Sequence, residues 1–206
     1  MIKKIEKIKS WQIILFSALF LVAVFISYGT VNYVRETSAR KDGRMQAFTT
    51  ECVGFQMMGF DWLGEGYSYR VTNHDPQMLM DTPQAFTSLK FYMESSMHPG
   101  EVVMYYSTEK APGYSEHRRL WANSVDGEPN WYIIETPIKD ITAIRLDPTM
   151  YIGNELIFGD FIFNREKSVG DFFEITHGRM YELVVYTAII SSCLRWLQEF
   201  ITKKFE

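Results

Sequence analysis

The sequence predicts a mainly β protein: an antiparallel β-sandwich ectodomain between an N-terminal transmembrane helix and a C-terminal transmembrane or interfacial helix. Three observations predict it. No charge interrupts the 25 residues Ser10–Val34. About seven segments rich in β-branched and aromatic residues follow, divided by Gly, Pro and Asp turn signals, with no helical period between them. A second apolar run, Leu183–Leu194, lies near the end of the chain. With 206 residues, 47% hydrophobic and 22% charged, the chain can bury one core and is not disordered.

The first helix follows from length. Ile13–Ile26 reads IILFSALFLVAVFI, with Ser17 its only polar member. At about 1.5 Å per residue the uncharged stretch reaches roughly 37 Å, enough for a hydrocarbon core of about 30 Å. Trp11 at one end and Tyr28 and Tyr33 at the other suit the two interfaces. A cleaved signal peptide has a shorter apolar core and a small-x-small cleavage site. SYGTVNYVRETSAR offers a poor one, so an uncleaved anchor is expected.

The strand segments come next. They are Cys52–Phe60, Gly66–Thr72, Ser88–Met93, Val102–Ser107, Trp131–Glu135, Ile141–Leu146 and Glu155–Phe163. Leu89, Phe91 and Met93 alternate with Ser88, Lys90 and Tyr92, the period of a half-buried strand. Turn signals stand at His74-Asp75-Pro76, His98-Pro99-Gly100, Ala111-Pro112-Gly113 and Asp126–Pro129.

The C-terminal run has 12 uncharged residues, too few to span alone at roughly 18 Å. It continues with Trp196, Leu197, Phe200 and Ile201 at helical spacing. Two readings stand: a crossing helix with Arg195 reaching the headgroups, or an amphipathic helix on the membrane or a partner. Crossing is preferred, because it leaves both basic termini in the cytoplasm. Those termini carry Lys3, Lys4, Lys7 and Lys9, and Arg195, Lys203 and Lys204. The expected organisation is 1–44 cytoplasmic tip, membrane helix and stalk, 45–165 extracytoplasmic sandwich, and 166–206 connector and membrane helix.

The net charge of −4 hides an asymmetry. Residues 1–44 hold eight basic and three acidic side chains, net +5, and residues 45–182 hold ten and twenty, net −10. So acidic a middle region argues against nucleic acid as a partner.

Catalytic signatures are weak. There is no Gly-x-Ser-x-Gly elbow, HExxH or Gly-rich phosphate loop, and His74, His98, His117 and His177 are scattered. Asp147, Asn154, Glu155 and Asp160 supply the oxygens a calcium site needs, but an ordinary acidic turn is the preferred reading. No metal and no cofactor is expected. Cys52 and Cys193 fall on different sides of the anchor boundary, so Cys52 is read as a buried small hydrophobe rather than an intermolecular bridge. Arg145 is expected to pair with an acid across the sheet, and Asp147 to cap a turn.

Aromatics are the better lead. Trp62, Tyr67, Tyr69, Tyr105, Tyr106, Tyr114, Trp121, Trp131 and Tyr132 fall within residues 60–132. Sugar rings stack their C–H faces on exposed aromatic planes, while acids and amides bind the hydroxyls. Most of these rings are expected in the core. Trp62, Tyr114 and Trp121 neighbour loops and are the candidate carbohydrate-binding residues.

An ordered set of segments adds a resemblance. Asp75-Pro76 precedes a strand. VVMYYSTEKAPGYSEHRRLW follows, with Tyr114-Ser115-Glu116 in its loop, then NWYIIETP and ITAIRLDPTMYIGNELIFGDFIF. Over residues 75–163 this resembles extracytoplasmic β-sandwich modules attached to bacterial cell-surface glycosyltransferases and other polysaccharide-assembly membrane proteins. No glycosyltransferase domain accompanies it here. The resemblance therefore implies a non-catalytic accessory protein, bound to the bilayer and to a glycan or a glycosyltransferase partner, in an oligomer or complex at the bacterial plasma membrane. The alternative is a structural subunit of a larger membrane complex with no glycan contact.

Overall fold

The computed structural model describes residues 9–175 and 177–205. Lys3, Lys4 and Lys7 lie outside the described residues, as do the side chains of His177, Lys203 and Lys204. The protein is mainly antiparallel β, with a helix before the strands and one after. The chain forms two compact units, Met1–Val34 with Lys167–Glu206, and Arg35–Glu166.

Helix α1 spans Ser10–Lys41 and α2 spans His177–Phe205. Among the described residues, α1 is the helix long and apolar enough to cross a membrane, a property that a signal sequence near the N-terminus shares. Helix α2 does not reach that hydropathy, for Arg179, Glu182, Arg195 and Glu199 punctuate it. Within the first unit α2 runs back along α1. Arg195 hydrogen-bonds the Ser10 hydroxyl, and the Arg179 guanidinium lies 5.7 Å from the Phe25 ring centre. A Cβ on Gly29 would fall 2.8 Å from the Phe172 carbonyl oxygen and from the Phe173 ring, so only glycine lets that segment lie on α1.

Ten strands fill the second unit among the described residues. They are β1 (Phe48–Thr50), β2 (Gln56–Met58), β3 (Phe60–Trp62), β4 (Ser68–Val71), β5 (Gln77–Ser95), β6 (Val103–Ser107), β7 (Arg119–Trp121), β8 (Asn123–Val125), β9 (Glu128–Asp147) and β10 (Glu155–Phe163). All pairings are antiparallel, along the path β3-β4-β10-β5-β9-β6-β7, with β1, β2 and β8 attached to β10, β5 and β9.

Two strands make the sandwich. Sequence patterning expects Ser88–Met93, Trp131–Glu135 and Ile141–Leu146 to be separate strands. They are parts of β5, 19 residues long, and β9, 20 residues long. Each contributes one half to each layer. The first half of β5 pairs with β2 and with the last part of β9, which carries β6 and β7. The second half pairs with β10 and the first part of β9, which carries β8. The strands change layer at register shifts between Asp81/Gln84 and Phe86/Ser88. Pro83 and Pro137 fall in those shifts, where a residue without an N–H costs no ladder bond. Turn residues there read as chain breaks in a sequence, and the bulges absorb them.

Both layers contribute to one core, including Met78, Phe86, Leu89, Phe91, Met104, Ile144, Leu146, Phe161 and Phe163. Phe91 stacks on Tyr132 and Phe161 at 5.6 Å. The end of α1 belongs to this unit. Arg40 pairs with Glu36 at 2.8 Å and donates to the Asn164 and Arg165 carbonyls at 3.0 Å. Asn164, in the left-handed region at φ 50°, is buried and spends its amide on the Ala85 and Gln46 carbonyls and the Thr87 N–H.

Cys52 is a free buried cysteine, as expected, and burial pushes its thiol up to about 11. That favours the protonated, unreactive form at neutral pH.

Candidate functional site

The site is built on the outer face of the layer that holds β6, β7 and the end of β9. Strand register sets which residues share it. Trp121, Val103 and Asp147 form one row across β7, β6 and β9, and Arg119, Tyr105 and Arg145 form the row two residues on. Between them Leu120, Met104 and Leu146 point the other way and pack in or against the core. The period of two therefore puts two aromatics, two arginines and a carboxylate on one surface.

These side chains form a continuous network. Arg145 grips Asp147 with two bonds of 2.7 Å, from Nε and Nη2, and also hydrogen-bonds Asp75 in the turn before β5. Its guanidinium lies 5.2 Å from the Tyr105 ring centre, and the Tyr105 hydroxyl donates to Glu116 at 3.1 Å. Glu116 accepts from Arg119 at 2.6 Å, and Arg119 in turn covers the Trp121 ring at 4.6 Å. Tyr114 arrives from the β6–β7 loop and donates its hydroxyl to the Ile144 carbonyl at 3.1 Å.

Electrostatics follow the burial. The Arg145 and Asp147 side chains are 20% and 17% exposed. Burial pushes the Asp147 carboxyl up, and Arg145 opposes that rise. Bonding to Asp147 holds the Arg145 guanidinium more firmly protonated. Burial also raises the Tyr114 hydroxyl, with Asp81 adding to the rise and Arg145 opposing it. At neutral pH the face presents fixed cations and anions between aromatic planes. Trp121 is 50% exposed and Tyr114 37%, while Asp75, Glu116 and Arg119 open the rim to solvent.

The three candidate residues separate. Tyr114 and Trp121 flank this network. Trp62 lies on β3, at the opposite end of the strand path from β7. It is 62% exposed, and its indole N–H closes its own hairpin on the Gly66 carbonyl at 3.0 Å. Arg145 does pair with an acid from another element, Asp75, as expected, but its bidentate partner is Asp147 on its own strand, a residue expected only to cap a turn. Sequence reading missed Arg119 and Tyr105 as site members. The signal was present in the alternation of Tyr105 with Met104 and Tyr106, but only the β6–β7–β9 register aligns it with Arg145. It also missed a second aromatic cluster on the other layer. There Tyr92 meets Trp131 edge-on at 5.7 Å and Lys90 covers Trp131 at 4.8 Å while pairing with Glu128 at 2.6 Å.

The oxygens of Asp147, Asn154 and Glu155 are engaged within the protein. Asp147 is held by Arg145, Glu155 pairs with Arg70 at 2.6 Å, and buried Asn154 accepts from Ser95, Ser96 and the Met97 N–H. Among the described residues no group of three or more His, Cys, Asp or Glu is placed to hold a metal ion.

No family model matches the chain, and no curated protein matches it. Among solved structures it is similar to a carbohydrate binding module of family 29, at 12% identity over 58% of this chain and 89% of that one, with a TM-score of 0.39. It is also similar to CBM86, a low affinity xylan binding module from Roseburia intestinalis, at 9% identity over 61% and 98%, with a TM-score of 0.36. Similarity at this level leaves the ligand to be argued from the chain's own residues.

Proposed function

We propose that this chain is a membrane-anchored, non-catalytic carbohydrate-binding protein of bacterial surface-polysaccharide assembly. The sandwich lies outside the cytoplasm and α1 holds it to the bilayer. The observation that carries the reading is the outer face of β6, β7 and β9. There Trp121 and Tyr114 offer ring planes for sugar C–H faces, and Glu116, Arg119 and Asp75 offer acceptors and donors for hydroxyls. The acidic middle region suits a neutral glycan better than an anionic one. A glycosyltransferase-type membrane protein is the proposed partner. The test is a glycan array probed with the full-length protein in mild detergent, with Trp121→Ala and Tyr114→Ala beside it. Selective binding lost in both variants supports the reading; binding unchanged in both removes this face from it.

A specific observation favours the alternative, a structural subunit without glycan contact. Met97, Met150, Tyr151 and Ile152 stand exposed on two touching loops, a surface suited to another protein. Mass spectrometry of copurifying proteins, together with a silent glycan array, would select it.

A further inference from the structure

We propose that the cleft between α1 and α2 at Arg195 binds the phosphate of a phospholipid headgroup. The proposal rests on the membrane reading of α1.

The cleft measures about 180 Å³ and is lined by Ser10, Ile13, Ile14, Ser191, Ser192 and Arg195. Three serines and one arginine thus line a small space walled by isoleucine. The Ser191 hydroxyl is the unusual member: its oxygen is buried and has no hydrogen-bond partner. A buried hydroxyl left unpaired is costly and needs a reason. Its neighbour Ser192 differs, donating to the Ala188 carbonyl at 2.8 Å. A turn of the Ser191 side chain about χ1 would let it donate to a phosphate oxygen seated in the cleft.

Arg195 supplies the charge. It bonds the Ser10 hydroxyl and pairs with Glu199 at 3.5 Å. A guanidinium carries five donors in a planar fork, more than one hydroxyl and one carboxylate use, and the fork matches phosphate. The cleft also sits at the first residue of α1, where the positive end of a 32-residue helix adds to the attraction.

The level in the membrane points to a lipid. Trp11 and Trp196, the sequence neighbours of Ser10 and Arg195, are 59% and 66% exposed. Exposed tryptophans mark the headgroup level of a membrane helix. The apolar walls, Ile13 and Ile14, suit the start of the lipid's glycerol and acyl chains. The same donors would take free phosphate, so the test must separate the two sources.

Full-length protein is reconstituted in phosphatidylglycerol nanodiscs and released for native mass spectrometry. The expected result is one phosphatidylglycerol retained per chain, with retention falling at least fivefold in Arg195→Leu and in Ser191→Ala. Arg195→Lys, which keeps the charge and loses the fork, is expected between them and wild type. Equal retention in wild type, Arg195→Leu and Ser191→Ala overturns the proposal. Displacement of the lipid by 10 mM inorganic phosphate overturns the lipid assignment in favour of free phosphate. Should Arg195→Leu misfold, Ser191→Ala, which removes one hydroxyl, decides alone. Carbonate extraction separates the two readings. Wild-type protein washed off membranes defeats the anchor and the cleft together, whereas integrated protein that retains no lipid defeats the cleft only.

Discussion

Two exposed tryptophans at opposite ends of one sheet show what makes an aromatic residue a candidate ligand contact. Trp62 on β3 and Trp121 on β7 are similarly exposed, and each is the last residue of a short strand at an end of the strand path. Their surroundings differ. The Trp62 indole N–H is satisfied inside its own hairpin. Trp121 carries Arg119 on its ring, and from there a chain of contacts runs through Glu116, Tyr105 and Arg145 to Asp147 and Asp75. An exposed ring gives area for stacking; polar groups fixed beside it give orientation and specificity.

The largest effect that could break this comparison is Arg145→Ala. It leaves the mostly buried Asp147 carboxylate without its bidentate partner, at an expected cost of about 2–3 kcal/mol in stability, below the range for a fully buried pair because both side chains keep some exposure. Urea unfolding measures it, and an unchanged midpoint would deny the network its role. Next is Gly59→Ala, on the Trp62 edge. Gly59 has φ 78°, and a Cβ there would fall 2.5 Å from the Asn73 amide oxygen, so about 1–2 kcal/mol is expected, with glycan binding untouched. Loss of binding in that variant would join the two edges functionally.

Trp121→Ala is expected to weaken glycan binding about tenfold, or about 1.4 kcal/mol, against less than twofold for Trp62→Ala, by titration calorimetry. Equal losses would erase the distinction. The smallest effect is on pH. Burial raises the Asp147 carboxyl, so the folded protein takes up this proton at a higher pH than the unfolded chain. Its contribution to stability is therefore present at low pH and lost as pH rises through the folded value. Binding moves the other way, because protonation removes the charge that orients Arg145. Affinity is expected to fall on mild acidification, before ordinary carboxylates titrate, and Asp147→Asn should flatten that dependence.

How much was legible varies by element. The segment Glu155–Phe163 coincides with β10, because it is dense in the aromatic and β-branched residues that favour strands. Cys52 was legible as a buried residue because Cys193 falls on the other side of the anchor boundary, and a free cysteine behaves as a small hydrophobe. The long strands were not legible, since Pro83 and Pro137 look like breaks until a bulge accommodates them. Half of the candidate site was legible. Tyr114 and Trp121 stand beside loops, but Arg119 and Tyr105 acquire meaning only from the pairing of β7 with β6 and β6 with β9.

The sequence by itself determined a long apolar helix, a β-rich middle with alternating faces, and an acidic middle region with basic flanks. These are local properties, set by hydrophobic length, by a period of two and by charge counting. Tertiary structure decided which edge each tryptophan occupies, that Arg145 bridges Asp147 and Asp75, and that Ser10 meets Arg195 across 185 residues. Those are long-range contacts, and their partners are chosen by strand register and helix packing, which no local pattern encodes.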